Sequence, residues 1–174
     1  ITVVTARFLG PNGRGIYSFL ENVLTVAFLL GSLGLTYAAT YFIASKKYSP
    51  QIIFFNSIFF GLILGGIMSF VTFFSFRFFP ALFHGISINL MTPILIIMPL
   101  SFVAQLLTYI FFGLQKIIAF NISQIVWRFF LLVGLVVFLM FWPETETAIW
   151  VFAGSMTIYL VFRSTGHIQL RISR

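Results

Sequence analysis

Charged positions along the chain are so sparse that they divide it into long neutral stretches, and those stretches define its elements. Asn22 to Ser45 and Tyr48 to Phe76 hold no Lys, Arg, Asp or Glu, and only His84 interrupts the run between Arg77 and Lys116. A helix that crosses the hydrocarbon core of a bilayer needs about 20 mostly apolar residues, so each stretch is long enough to span. The turn formers of FPALFHGISIN put a loop at the start of the third stretch and leave a span over 88–112. The same pattern predicts spans over 16–44, 52–76, 118–141 (interrupted by Arg128) and 147–162. The first apolar run, ITVVTARFLG, offers only residues 1–9 and is too short to cross, so the chain reads as a fragment whose first span has lost its beginning. Backbone groups cannot go unpaired in lipid, which makes these runs helices. The short segments of alternating polarity that a transmembrane β-barrel needs are missing from the sequence. The expected fold class is all-α, a polytopic transmembrane helix bundle of one partial and five complete spans in a single unit over 1–174.

Composition supports this reading and closes off others. Of 174 residues, 60% are apolar, 20% aromatic and only 7% charged, whereas a soluble domain carries about 25% charged residues. Ten Lys/Arg and three Glu, with no Asp, cannot cover a water-soluble globule of this size, which excludes an ordinary cytosolic enzyme and a disordered region. The same scarcity of charge excludes a disulfide-stapled secreted domain, and the absence of cysteine is uninformative in a membrane protein. The 25 phenylalanines fit a permissive lipid-facing surface. A net charge of +7 would suggest nucleic acid in a soluble domain; here it reads as basic anchors beside spans, and no nucleic-acid partner is expected. Lys46, Lys47, Lys116, Arg163, Arg171 and Arg174 fall on one side of the expected topology, and Arg7, Arg14 and Arg77 on the other. The richer side is cytoplasmic by the positive-inside rule, and it takes the truncated N-terminus and the C-terminal tail with it.

A few segments are more than apolar filler. ARFLGPNGRGIY, residues 6–17, contains the turn dipeptides Gly10-Pro11 and Asn12-Gly13. It reads either as a tight hairpin whose Arg7 and Arg14 snorkel to headgroups, or as a place where both arginines face a wet cavity and attract an anion. Arg128 lies about ten residues into its span, about 15 Å deep at 1.5 Å per residue. An arginine facing lipid at that depth costs at least about 2.5–3.5 kcal/mol, so the expected orientation is toward protein or a cavity. Phosphate is the natural partner of a planar, permanently charged guanidinium. Glu21, at i+7 from Arg14, neutralises Arg14 or Arg128, or serves proton or cation coupling. Arg77 ends its helix at the outer interface, where it reads as an anchor and stands last among the anion-binding candidates. His84 reads as a plain loop histidine, and Lys46 and Lys47 as cytoplasmic anchors that could also meet a diphosphate at the inner mouth. Gly61 and Gly65 form a GxxxG that permits close helix approach, and Pro93 and Pro99 within one span suggest a bent or broken helix. No HExxH, no G-x-S-x-G and no carboxylate pair on one helix face occurs, so neither an enzyme, a metal nor a cofactor is expected.

ARFLGPNGRGIYSF after the first span and LLGSLGLTYAATYFIA closing the second resemble the start of bacterial polysaccharide (O-antigen type) flippases. GLQKIIAFN, between the fourth and fifth spans, is similar to the loop those proteins place there. They belong to the multidrug/oligosaccharidyl-lipid/polysaccharide transporter superfamily, and the resemblance covers nearly the whole chain. It implies two pseudo-symmetric six-helix lobes around a cavity that opens alternately to each side, with this chain the first lobe and the second missing. It implies a multi-pass protein of the bacterial inner membrane that moves undecaprenyl-diphosphate-linked oligosaccharide from the cytoplasmic to the periplasmic leaflet. Basic cavity residues would receive the diphosphate, and Arg128, Arg14 and Arg7 match that role. A drug or organic-cation antiporter of the same superfamily would need acidic cavity residues, and only Glu21 qualifies. A membrane-embedded enzyme of envelope synthesis would need a large polar loop or clustered His, Asp and Arg, and a scaffold subunit would not need Arg128 within its span.

Overall fold

The structure, a computed structural model, describes residues 1–45, 48–83, 86–115 and 117–172, and the side chains of all of these but Pro50, Ala119 and residues 162–172. Six α-helices follow one another: α1 (Thr2–Gly31), α2 (Leu35–Ala44), α3 (Pro50–Phe78), α4 (Ile88–Gly113), α5 (Ile117–Phe141) and α6 (Thr145–Ile172), with a 3-10 turn at Pro80–Phe83. Among the described residues there is no strand. Gln51–Phe78, Ile88–Gly113 and Phe120–Phe141 are each long and apolar enough to cross a membrane, and α1 with α2 passes the same test as a pair bent by 61°. The apolar part of α6, Thr145–Val161, is shorter.

The N-terminal region departs from a simple hairpin loop. Gly10 adopts φ 68° and ψ −179° inside α1, a backbone region that is essentially glycine-only. Pro11 follows at the first position of a new helical segment, where its missing N–H would have had no partner and its fixed φ suits the helix. Asn12, Gly13 and Gly15, expected in a turn, are helical instead. The whole reversal is carried by one residue. Its sharpness shows in Arg14, whose Nη1 donates to Thr2 O at 2.6 Å and to the buried Thr5 Oγ1 at 3.0 Å. In a straight helix twelve residues cover about 18 Å, well beyond the reach of an arginine side chain. The first segment therefore folds back on the second.

The stretch 16–44, expected as one span, is also broken. Leu33 and Gly34 take φ 47° and 77°, and two successive left-handed residues cannot continue a right-handed helix. Against expectation, α4 runs unbroken through Pro93 and Pro99. Proline at 99 removes the N–H that would pair with Leu95 O. Ser69 of α3 supplies the missing donor, its Oγ bonding Leu95 O at 2.8 Å. The same face of α3 carries Gly61 and Gly65: a Cβ on Gly65 would stand 2.5 Å from Pro99 Cα, and one on Gly61 2.9 Å from Val103 Cα. In lipid, close van der Waals packing and cross-helix bonds of this kind hold helices together.

α4 is the axis of the bundle. Its spanning window is 61% buried, against 22% for α3 and 17% for α5. It packs on α2, α3 and α6, and Met91, Met98, Phe102 and Ile110 are wholly enclosed. α5 buries a single stripe, Ser123, Leu131, Leu135 and Leu139, and turns Ile122, Ile125, Phe129, Phe130, Val136 and Val137 outward. That outward apolar surface is what a helix at the edge of a lipid-embedded bundle presents.

Candidate functional site

On α1 beyond the Gly10 turn the buried positions are Gly13, Tyr17, Leu20, Leu24, Ala27 and Gly31, spaced alternately four and three so that they share one face. Beside that face lie Arg14, Ser18, Glu21 and Thr25, again at helical spacing, with Asn22 next to Glu21. Arg14, Ser18 and Glu21 are half-buried, and Asn22 and Thr25 are exposed. The result is a polar strip about 16 Å long, at 1.5 Å per residue, on an otherwise apolar helix. A second strip runs along the first half of α5, where Asn121, Gln124 and Arg128 share a face at spacings of three and four. Arg128 and Asn121 are exposed and Gln124 is half-buried.

The two strips lie on neighbouring helices. Gly13 lies against the first residue of α6, with Thr145 Oγ1 2.8 Å from where a Cβ would stand. The Gly10 end of α1 therefore sits at the α5–α6 turn, and the second segment of α1 runs antiparallel to α5. Near mid-helix the Glu21 carboxylate feels the positive charges of both Arg14 and Arg128. Arg14 and Ser18 thus approach Glu21 from one end of the bundle, and Arg128, Gln124 and Asn121 continue the polar line toward the other.

Behind Glu21 the wall is apolar. A narrow, partly open cleft without room for a water is lined by Tyr17, Leu20, Glu21, Ile94, Ile149 and Phe152. The buried Tyr17 hydroxyl is turned toward Glu21 without closing a full hydrogen bond. Trp127 Nε1 is likewise buried and unpaired, and Phe152 stands between the two, its ring centroid 6.2 Å from that of Tyr17 and 6.4 Å from that of Trp127. A buried donor left unpaired costs about 1–3 kcal/mol.

Of the candidate anion ligands, Arg14 and Arg128 are the two whose charges reach Glu21. Arg14 also braces the fold-back at Gly10 through one of its terminal nitrogens. Arg7 is exposed on the first segment of α1 and Arg77 is exposed in the last turn of α3, and neither is among the charges acting on Glu21. Lys46, Lys47, His84, Lys116 and Arg174 lie outside the described residues, as do the side chains of Arg163 and Arg171. Glu144 and Glu146 are exposed at the α5–α6 turn, Glu146 in the first turn of α6 where a helix favours negative charge. Among the described residues no three His, Cys, Asp or Glu gather as metal ligands would. Reading charges alone missed Tyr17, Ser18, Thr25, Asn121 and Gln124. The recurrence of small polar residues every three or four positions within apolar runs was the signal that could have found them.

A family profile described as polysaccharide biosynthesis protein matches residues 1–166. Searches of curated proteins and of solved structures returned no match.

Proposed function

Since the chain belongs to the polysaccharide biosynthesis protein family, we propose that it works in a flippase that carries polyprenyl-diphosphate-linked oligosaccharide from the cytoplasmic to the periplasmic leaflet. A second lobe of the same protein closes the cavity in this reading, and the two rock alternately. Arg128 and Arg14 receive the diphosphate, while Arg7 and Arg77 serve the membrane interfaces.

The observation that carries the reading is the polar line from Arg14 through Glu21 to Arg128, set across the middle of an apolar bundle. A diphosphate cannot enter hydrocarbon bare, because stripping water from an ionised group is prohibitive unless cations and dipoles replace it. The exposed Arg128 side chain sits eleven residues into α5, about 16 Å from its start. Facing lipid there would cost about 2.5–3.5 kcal/mol or more, whereas facing a wet cavity costs little. Hydroxyls and amides at Ser18, Thr25, Gln124 and Asn121 extend the line with groups that can bond phosphate or sugar without fixing it. A cation antiporter fits less well, since Glu21 is flanked by two arginines.

The decisive experiment is Arg128→Ala in the full-length protein, expressed in cells whose surface polysaccharide depends on it. Losing a charge-assisted contact of about 1.5–3 kcal/mol corresponds to about tenfold or more in affinity. Surface glycan should fall by at least that factor at unchanged membrane expression, with partial recovery in Arg128→Lys. Full glycan output from Arg128→Ala would sink the assignment.

A further inference from the structure

We infer that Thr5 is a positioning residue for Arg14: with the Thr2 carbonyl it holds one nitrogen of the guanidinium, so that the opposite edge is fixed and free to take a phosphate through two parallel N–H bonds. This rests on the diphosphate reading above and adds what aims one of its two arginines.

Arg14 Nη1 donates to Thr2 O at 2.6 Å and to Thr5 Oγ1 at 3.0 Å. The bonds reach back twelve and nine residues, so they exist only because Gly10 reverses the chain. Thr5 is itself fixed. Its side chain is buried, and its hydroxyl proton is shared between Ile1 O and Thr2 O on its own helical turn. The hydroxyl oxygen is thereby left to accept from Arg14.

A guanidinium carries five N–H donors in one plane. The pair on Nη1 is spent, while Nε and Nη2 hold no hydrogen bond among the described residues. Those two nitrogens form the side-on edge, whose parallel N–H groups match two oxygens of one phosphate. Both groups that hold Arg14 are neutral acceptors, a carbonyl and a hydroxyl. They orient the positive charge without cancelling it, as a carboxylate brace would. An arginine that snorkels freely loses its rotamers when it binds a ligand, whereas Arg14 has lost them on folding. A headgroup anchor gains nothing from such a brace, because a mobile side chain serves the interface equally well. A ligand that must be gripped in one orientation does gain from it.

The test uses the full-length protein in phosphatidylcholine nanodiscs, titrated with farnesyl diphosphate as the probe and farnesol as its uncharged counterpart. Thr5→Val keeps the shape without the hydroxyl. It should weaken farnesyl diphosphate binding by about threefold, the scale of one hydrogen bond, and leave farnesol binding unchanged. Thr5→Ser, which restores the hydroxyl, should return the parent affinity. In an Arg14→Gln background Thr5→Val should have no further effect, a non-additivity that lost packing would not give. Arg14→Lys keeps the charge, but its single nitrogen cannot hold Thr2 and Thr5 and also grip a phosphate. It should bind as weakly as Arg14→Gln, about tenfold below the parent. If Thr5→Val binds like the parent while Arg14→Gln binds weakly, the positioning role is overturned and the diphosphate site stands. The same threefold loss in the Arg14→Gln background would make Thr5 structural only and overturn the role too. If Arg14→Gln binds like the parent while Arg128→Gln does not, the inference fails and Arg128 keeps its place. If neither variant weakens binding, the diphosphate reading falls and takes the inference with it. Should Thr5→Val fail to insert, Arg14→Lys decides alone: a loss close to that of Arg14→Gln supports the fixed edge, and affinity within about twofold of the parent overturns it.

Discussion

Single residues set the geometry of the site through backbone and charge, and Gly10 does so most directly. Its φ of 68° with ψ near 180° directs the chain back on itself, so that Arg14 can reach Thr2 and Thr5. A Cβ at Gly10 would meet nothing within 4 Å, so any penalty for Gly10→Ala comes from backbone strain alone, about 1–3 kcal/mol. Gly15, equally uncrowded but helical, is the matched control, where alanine should stabilise by about 0.5–1 kcal/mol. Thermal unfolding in detergent should therefore move in opposite directions for the two variants, and equal midpoints would show that the turn does not depend on glycine. The same residues show what a sequence reveals at this scale. Arg128, Arg14 and Glu21 stood out because an ion in an apolar run is costly and needs a reason. Tyr17 and Ser18 did not, since a phenol or hydroxyl in a helix is cheap and its meaning lies in what faces it. That Arg14 also braces the fold-back depends on a contact across twelve residues, which spacing along a helix would forbid.

At the level of whole helices, the α3–α4 contact shows how packing overrides local preference. Pro93 and Pro99 argue for a broken helix, yet α4 is continuous, because α3 approaches closely enough for Ser69 to bond the carbonyl that Pro99 strands. Gly65 makes that approach possible. Gly65→Val would drive a side chain into Pro99 Cα, a backbone atom that cannot rotate away, at a cost of about 1–3 kcal/mol. Ser69→Ala should cost less, about 0.6–1.7 kcal/mol, the range for one cross-helix bond in a membrane. Gly66, with nothing within 4 Å of its Cβ position, should accept valine with little change. An SDS-unfolding titration that ranked Gly66→Val with Gly65→Val would refute this account. Some helix ends were legible because charges and turn formers stand at them: the turn formers of FPALFHGISIN give way to α4 at Ile88, and WPE interrupts α5 and α6 between Phe141 and Thr145. The break at Leu33–Gly34 was not, because a leucine at φ 47° is imposed by the fold and leaves no mark in composition.

On the scale of the molecule, the question is which surfaces meet water, and the absence of native cysteine makes that directly measurable. The contact of Gly13 with Thr145 puts the Gly10 turn and the α5–α6 turn at one end of the bundle, and that of Gly113 with Ile43 puts the ends of α2 and α4 together. If the basic-rich connections are cytoplasmic, single cysteines at the exposed Asn12 and Glu144 should react with an impermeant maleimide from the periplasm, and those at Ser45 and Gln115 only after the inner face is opened. Reversed labelling would invert the orientation. Asn12 and Glu144 on opposite sides would break the helix arrangement itself. The informative positions lie between these ends. Maleimide attacks the thiolate, which forms in water and not in hydrocarbon. Cysteines at Ser18, Gln124 and Arg128 should therefore react despite their depth, whereas those at the outward-facing Phe129 and Val136 should not. If Arg128→Cys is as silent as Phe129→Cys, the strip faces lipid and no anion can be handled there. Reaction along the strip, protected by farnesyl diphosphate, would establish one wet face on an otherwise lipid-bound bundle and identify it as the path of the anion.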